Sequence, residues 1–233
     1  MPFLIDTLAV ILGYLLGSIP FGLLIVKIST GKDLRTVESG RTGGTNAARA
    51  AGFWAGLLTA ILDVMKGAVA VWIAKFFTAS GFTDHIMIHV LAPIAVIVGH
   101  NYSFFLMERD DRGRLKFRGG AGGAPAIGGA MGLWTPMFPI AFLVGALIWF
   151  SLGMASVATM AVGIVVIILF AIRGSLDLQP SVYIWYGIVA ELLLIWALRP
   201  NIQKLLAGNE RVIKYSLNGW LKARRESQEA AKK

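Results

Sequence analysis

The sequence predicts an all-α, polytopic integral membrane protein with seven transmembrane helices, its N-terminus outside and its C-terminus in the cytoplasm. Three observations carry this. Of 233 residues, 56% are hydrophobic, and they arrive in long runs with a mean hydropathy of +0.69. Charged residues make up only 15% and sit mainly between those runs. The basic ones fall into three segments, which fixes the loops that share one side of the bilayer. A soluble domain of this length needs far more polar surface.

The formal net charge is +9. In a soluble chain that balance would suggest nucleic acid. Here the cations flank apolar runs, so topology, anionic lipid head groups and an anionic substrate are the fitting explanations, and no nucleic-acid partner is expected. There are no cysteines, which excludes disulfides and thiolate chemistry. His85, His89 and His100 do not suggest a metal site, and no cofactor is expected. The N-terminus has neither a cationic start nor a small-residue cleavage site, and reads as a retained first span.

A helical span needs about 20 mainly apolar residues. Leu4 to Ile28 supplies the first, with Gly17-Ser18-Ile19-Pro20-Phe21-Gly22 in its last third. Phe53 to Phe77 supplies the second and carries Asp63 and Lys66. Ile86 to Met107 supplies the third. A run from Pro180 to Leu198 is the last. Between them, Ala124 to Ile172 carries no charge and is too long for one crossing.

Charge parity decides how that stretch is divided. Lys27, Lys32, Arg35, Arg41 and Arg49 lie between or at the ends of the first two spans. Arg112, Arg114, Lys116 and Arg118 follow the third. Lys204, Arg211, Lys214, Lys222, Arg224 and Arg225 follow the last. All three basic segments belong on the cytoplasmic side. The uncharged stretch must then cross an odd number of times, and three crossings fit its length. The breaks fall near Thr135 to Pro139 and near Ser151 to Ala155, leaving two short spans of about 15–18 residues. Residues 1–210 form the membrane domain on this reading. Residues 211–233 form a basic cytoplasmic tail, with Ile213, Tyr215, Leu217, Trp220 and Leu221 suited to a helix on the inner membrane surface and poor order expected after Arg225.

The polar motifs gather at the cytoplasmic side. The first loop contains Ser39, Gly40, Arg41, Gly43, Gly44, Thr45, Asn46 and Arg49. Glycines admit an anion close to the backbone, hydroxyls and amides donate to phosphate oxygens, and arginines add bidentate charge. Thr45 or Asn46 is placed to cap the helix entering the second span. The Gly-Lys-Ser/Thr end of a Walker A loop is missing, and a flexible turn with topogenic arginines is the alternative. A second cationic glycine segment, Arg118-Gly119-Gly120-Ala121-Gly122-Gly123, follows the third span. Asp63 and Lys66 lie one turn apart, as an ion pair or as the walls of a polar site. His100 is a candidate base or an interfacial hydrogen-bonding residue. Ser156, Arg199, Asn201, Gly208 and Glu210 complete a polar rim.

In this order and spacing, the segments resemble the PlsY family of bacterial acyl-phosphate-dependent glycerol-3-phosphate acyltransferases. The matching pieces are Tyr14 to Gly22, Ser39-Gly40 with Gly43, Thr45-Asn46 and Arg49, and Leu62-Asp63-Val64-Met65-Lys66-Gly67. They continue with Gly99-His100, Phe117-Arg118-Gly119-Gly120, Ala155-Ser156, Asn201-Ile202 and Leu205 to Glu210. The likeness covers roughly residues 8–210. It implies transfer of a fatty acyl group from acyl phosphate to glycerol 3-phosphate in the bacterial cytoplasmic membrane, with the active site facing the cytoplasm. It assigns Ser39, Gly40, Thr45, Asn46 and Arg49 to phosphate binding, and Ser156 and Asn201 to substrate contact. Arg41, Gly43, Gly44, Arg118, Gly119 and Gly120 join the expected phosphate site, with Ser39, Arg49, Ser156 and Asn201 as its reactive core. Asp63, Lys66, His100 and Glu210 are expected to support it.

The chain departs from the family pattern at several places. The family's glycine loop reads Phe-Lys-Gly-Gly-Lys-Gly; here Arg118 and Ala121 stand where it has lysines. Leu198 replaces a histidine, Arg41 replaces an asparagine, Gly122-Gly123-Ala124-Pro125 replaces Gly-Val-Ala-Thr, and Glu108 to Arg114 resembles an insertion. Two readings remain open. Arg41 supplies the charge lost at position 121, or the chain binds a phosphorylated ligand or lipid without acyl transfer. A small transporter using Asp63 and Lys66 is a third, opposed by the one-sided motifs and the lack of an inverted repeat.

Overall fold

The computed structural model describes residues 2–213 and 216–230. Ten α-helices are found among them: α1 (Pro2–Ser18), α2 (Phe21–Thr30), α3 (Gly44–Ala51), α4 (Phe53–Ala79), α5 (Ile88–Asn101), α6 (Gly123–Leu133), α7 (Met137–Leu152), α8 (Ala155–Ser175), α9 (Tyr183–Leu206) and α10 (Leu217–Ala230). Strands β1 (Ser103–Arg109) and β2 (Leu115–Arg118) form an antiparallel hairpin. By length and apolarity, α1–α2 taken together, α4, α8 and α9 can each cross a membrane; α5 and α7 are shorter apolar helices. Large apolar side chains such as Phe142, Leu147, Trp185 and Leu192 point outward, the arrangement of a chain solvated by lipid.

The uncharged stretch divides as the sequence reading placed it. Helix α6 stops at Leu133, α7 begins at Met137 after Pro136, and α8 begins at Ala155 after left-handed Gly153 (φ 77°). The side chain of Lys75 on α4 ends α6 by donating to the carbonyls of Gly132 and Leu133 at 2.8 and 3.0 Å.

Three expectations are corrected. The first span is broken, because Pro20 has no amide to donate and disfavours helix at Ile19. The carbonyls freed there are taken by neighbours: Lys66 Nζ donates to Gly17 O at 2.9 Å and Ser103 Oγ donates to Ser18 O at 2.5 Å. The third helix ends at Asn101, not Met107; the apolar residues beyond it continue as strand, so the chain is not purely α. The tail stays helical past Arg225, to Ala230. Tyr215 and Lys214 of the tail lie outside the described residues.

The core lies among α4, α5, α6, α7, α8 and α9, around Val71, Ile97, Met137, Phe170, Tyr186 and Leu194. Helices α4 and α6 meet backbone to backbone. A Cβ on Gly128 would stand 1.8 Å from Val64 O, one on Gly67 2.2 Å from Pro125 O, and one on Gly132 2.7 Å from Val71 Cβ. Glycine is needed here for approach, since no side chain fits between the two backbones. Short α6 is thereby held along its length.

Cross-contacts place the helix ends. At one end of the bundle Ser18 meets Phe104, Gly120 meets His100, Ser156 meets Glu210, and Arg41 meets Ala197. At the other, Asp6 meets His85, Thr78 meets His89, and His89 meets Tyr183. Helices α1, α5 and α9 therefore run toward the first end and α4 toward the second, while α6 and α8 start from the first.

Candidate active site

The first loop is built to hold its own shape. Asp33 Oδ1 accepts from Arg35 N at 2.9 Å, and the Arg35 guanidinium clamps the same carboxylate, with Nη2 to Oδ2 at 2.7 Å. These bonds hold the Asp33 carboxyl well down, to about 2. Glu38 (φ 46°) and Gly40 (φ 66°) turn the chain sharply. Asn46 is buried and donates from Nδ2 to Arg41 O at 2.9 Å, Val37 O at 3.0 Å and Leu34 O at 3.3 Å. It fastens the loop from beneath through Nδ2, while its Oδ1 has no hydrogen-bond partner. Neither Thr45 nor Asn46 caps the second span. They lie inside α3, which starts after Gly43 without a side-chain cap, and Gly52 separates α3 from α4. Ser39 is exposed, and Thr45 and Arg49 share the exposed face of α3.

Arg41 turns inward. Its Nη1 donates to Asn201 Oδ1 at 2.9 Å and its Nη2 to Ala197 O at 2.7 Å, at the end of α9. Partial burial pulls its pKa below the ordinary guanidinium value, with the charge of Glu210 acting in the opposite sense. The Glu210 carboxylate gathers the rest: Oε1 accepts from Ser156 Oγ at 2.8 Å and from Asn201 Nδ2 at 3.0 Å. Arg211 pairs with Glu38 at 2.7 Å and ties this end back to the first loop. Four sequence candidates, Arg41, Ser156, Asn201 and Glu210, thus form one hydrogen-bonded chain across three separated segments.

The glycine loop closes the other wall. Thr42 N donates to Gly119 O at 3.2 Å, joining it to the first loop, and Gly120 N donates to His100 O at 2.8 Å. Left-handed Gly122 (φ 88°) precedes α6. Below the loop, Lys66 Nζ lies 2.9 Å from Asp63 Oδ1 and 2.8 Å from His100 Nδ1, all three side chains being buried. A Cβ on Gly120 would fall 2.0 Å from His100 Nε2. Asp63, Lys66 and His100, read separately in the sequence, form one polar support under the loop.

Arg118 lies elsewhere. Its Nε donates to Glu108 Oε1 across the hairpin at 2.5 Å, which holds the Glu108 carboxyl below its usual range. Sequence reasoning missed this partner, because Glu108 was taken as part of an insertion. Leu198 is buried in the apolar packing of α9. Ala121 directly follows Gly120, beside the loop that carries Arg41. An apolar groove lined by Gly123, Thr159, Val162, Gly163, Ala190 and Leu194 starts at the inner end of the glycine loop. No cluster of ligands able to hold a metal ion is present among the described residues.

The arrangement offers hydroxyls, guanidinium groups and loop amides to an anion, next to a narrow apolar crevice. Comparison with known proteins agrees with that chemistry. A model of the family described as glycerol-3-phosphate acyltransferase matches residues 7–208. A glycerol-3-phosphate acyltransferase of Lawsonia intracellularis is 34% identical over 215 residues, covering 91% of this chain and 98% of the relative. Glycerol-3-phosphate acyltransferase 3 of Dehalococcoides mccartyi (strain CBDB1) is 37% identical over 216 residues, covering 88% and 94%. Among solved structures, the glycerol 3-phosphate form of PlsY, an integral membrane glycerol 3-phosphate acyltransferase, aligns with a TM-score of 0.76 and 31% identity over 89% of this chain and 95% of that one. The lysophosphatidic acid form of PlsY aligns with a TM-score of 0.74 at 28% identity over 90% and 96%. With its own loops, bundle and order of motifs in agreement with these matches, the chain belongs to the glycerol-3-phosphate acyltransferase family.

Proposed function

We propose that the protein transfers a fatty acyl group from acyl phosphate to the hydroxyl of glycerol 3-phosphate, giving lysophosphatidate and phosphate. The observation that carries this is the convergence of Arg41, Ser156, Asn201 and Glu210 beside the glycine loop. In the reaction the glycerol oxygen attacks the acyl carbon and the bond from that carbon to the phosphate oxygen breaks. The phosphate leaves with the electron pair and takes up the hydroxyl proton. The leaving group is already good, so neither a covalent acyl-enzyme nor a metal is required. Positioning the two phosphorylated substrates supplies much of the rate. Ser39, Gly40, Gly43, Gly44, Thr45 and Arg49 bind phosphate from the outer wall. Ser156 and Asn201 contact substrate from the other side, and the acyl chain stays on the apolar, lipid-facing side of the helices.

Arg41 stands in for the family lysine absent at Ala121. Its guanidinium reaches Asn201, so a cation remains at the centre of the cluster. Asp63 and Lys66 fit support better than a transport pathway, because Lys66 is occupied by Asp63, His100 and Gly17 O. The helix directions favour seven spans, with the N-terminus outside and the site at the cytoplasmic face of a bacterial plasma membrane. Residues 1–210 form the membrane domain and 211–233 the basic tail.

The test supplies purified protein with acyl phosphate and labelled glycerol 3-phosphate and measures lysophosphatidate. Turnover by the native chain that falls about 10²–10³-fold in Arg41→Ala supports relocation of the charge. Product only from Ala121→Lys shows a degraded site, and no binding of either substrate overturns the phosphate site itself.

A further inference from the structure

The segment read as an insertion, and given no part in acyl transfer above, is the tip of an amphipathic hairpin. Register pairs Met107 with Phe117, Glu108 with Lys116, and Arg109 with Leu115. Alternation then sets Met107, Phe117 and Leu115 with Arg109 on one face, and Glu108 and Lys116 on the other. The apolar residues are uncovered: Met107 is 44% exposed, Leu115 54% and Phe117 39%. Phe104 and Phe105, at the root where the register shifts, are 51% and 56% exposed. A two-stranded ribbon with one bare apolar face gains nothing from water.

The root shows where this face lies. Tyr14 Oη donates to Tyr102 O, and Phe104 N donates to Ser18 Oγ, so the hairpin leaves the bundle at the end of α1. Helix α1 itself presents Leu8, Leu12 and Leu15 outward up to that end. The apolar residues of the hairpin therefore begin where the outward apolar residues of α1 end. Its charge is also one-signed on balance: Arg109, Arg112, Arg114, Lys116 and Arg118 outweigh Glu108, Asp110 and Asp111. Two of the arginines are engaged by carboxylates, Arg114 by Asp110 and Arg118 by Glu108, which leaves Arg109, Arg112 and Lys116 against Asp111 and the outward field positive.

We propose that this hairpin docks on the anionic lipid leaflet beside the site, with Met107, Leu115 and Phe117 in the interfacial layer and the cations against lipid phosphates. Apolar burial together with the attraction of basic residues to an anionic surface makes that the favoured occupant. Strand β2 runs directly into Gly119 and Gly120, so the docked ribbon holds the glycine loop at the lipid surface. A ligand with a hydrocarbon tail and a phosphate head then reaches the loop sideways from the leaflet.

The absence of cysteine makes the test direct. Single variants Leu115→Cys, Phe117→Cys, Lys116→Cys and Arg112→Cys carry a nitroxide, and the full chain is reconstituted in phosphatidylglycerol or phosphatidylcholine vesicles. Collision with a water-soluble relaxant and with oxygen is then measured. The expected result is alternation: labels at 115 and 117 shielded from the water-soluble relaxant, labels at 116 and 112 open to it, with the shielding stronger in phosphatidylglycerol and weakened by high salt. Labels at 115 and 117 as open as the one at 116 would overturn the docking. Equal shielding in both lipids and at all salt concentrations would overturn the anionic partner. No substrate is present, so failure of the acyl-transfer reading would leave this result standing.

Discussion

Gly120 is a demanding position of the glycine loop. Adding one methyl group there brings Cβ to 2.0 Å from His100 Nε2 and 2.7 Å from Cδ2. The imidazole has no room to retreat. It is buried, and its other nitrogen is held 2.8 Å from Lys66, which is fixed by Asp63 and by Gly17 O. The loop must move instead, and Gly120 N then loses its 2.8 Å bond to His100 O. Overpacking costs about 1–3 kcal/mol, and the lost bond about 1 kcal/mol more. For a chain of this size the sum corresponds to a fall in Tm of about 4–16 °C. The displaced loop carries Gly119, which is bonded to Thr42, so the two walls of the site shift against each other. Lysophosphatidate formation is expected to fall about 10²-fold, as for an ångström of misplacement. The assay pairs thermal unfolding in detergent with product formation, and Gly43→Ala serves as control for the unfolding alone, since a Cβ there meets nothing within 4 Å. Gly120→Ala with unchanged Tm and turnover would refute the argument that glycine is present for its contact with His100.

Three further outcomes follow from the buried and looped carboxylates. Lys66→Met leaves Asp63 and Gly17 O without their partner and should cost about 3–5 kcal/mol. Adding Asp63→Asn should recover part of that loss in the same melting assay, and full stability of the single variant would contradict the pairing. Glu191→Met removes a buried carboxyl whose Oε2 has no hydrogen-bond partner, so Tm should rise, with about 1–3 kcal/mol of desolvation relieved; a falling Tm would mean that the acid is used. The third outcome concerns pH. Asp33, held at about 2, contributes stability above its ordinary value of about 3.9, and loses it as pH falls through about 2. Asp33→Asn should lower Tm at neutral pH and flatten its decline between about pH 4 and pH 2; identical profiles for the two proteins would exclude the clamp.

Hydropathy and charge were good guides where the chain is governed by the bilayer. Pro136 and Gly153 punctuate an uncharged stretch, and the parity of the basic loops required the same two breaks that the structure shows. They failed where one apolar run changes conformation. From Tyr102 onward the residues remain as apolar as α5, yet pair with Leu115 to Arg118, and no periodicity in so short a run separates strand from helix. Pro20 was visible, but the side chains that satisfy the break come from Lys66 and Ser103, distant in sequence. In the site the residue types were legible and their partners were not. Asn46 carries a family motif but serves the loop backbone, and Arg118 answers to Glu108. Arg41 and Asn201 are 160 positions apart, so only the fold could join them.

The backbone contact between α4 and α6 has a consequence for motion. Most packed interfaces can slide because side chains change rotamer as they pass. Where Gly128 and Gly67 face carbonyl oxygens, there is no rotamer to change. The glycine loop at the head of α6 is therefore part of a rigid frame with α4 and its Lys66. Any opening that exchanges substrate for product has to come from the facing elements: the first loop, the start of α8 and the segment after α9. These are joined to each other by side-chain hydrogen bonds through Arg41, Asn201, Ser156 and Glu210, while the first loop meets the frame through the backbone bond from Thr42 N to Gly119 O.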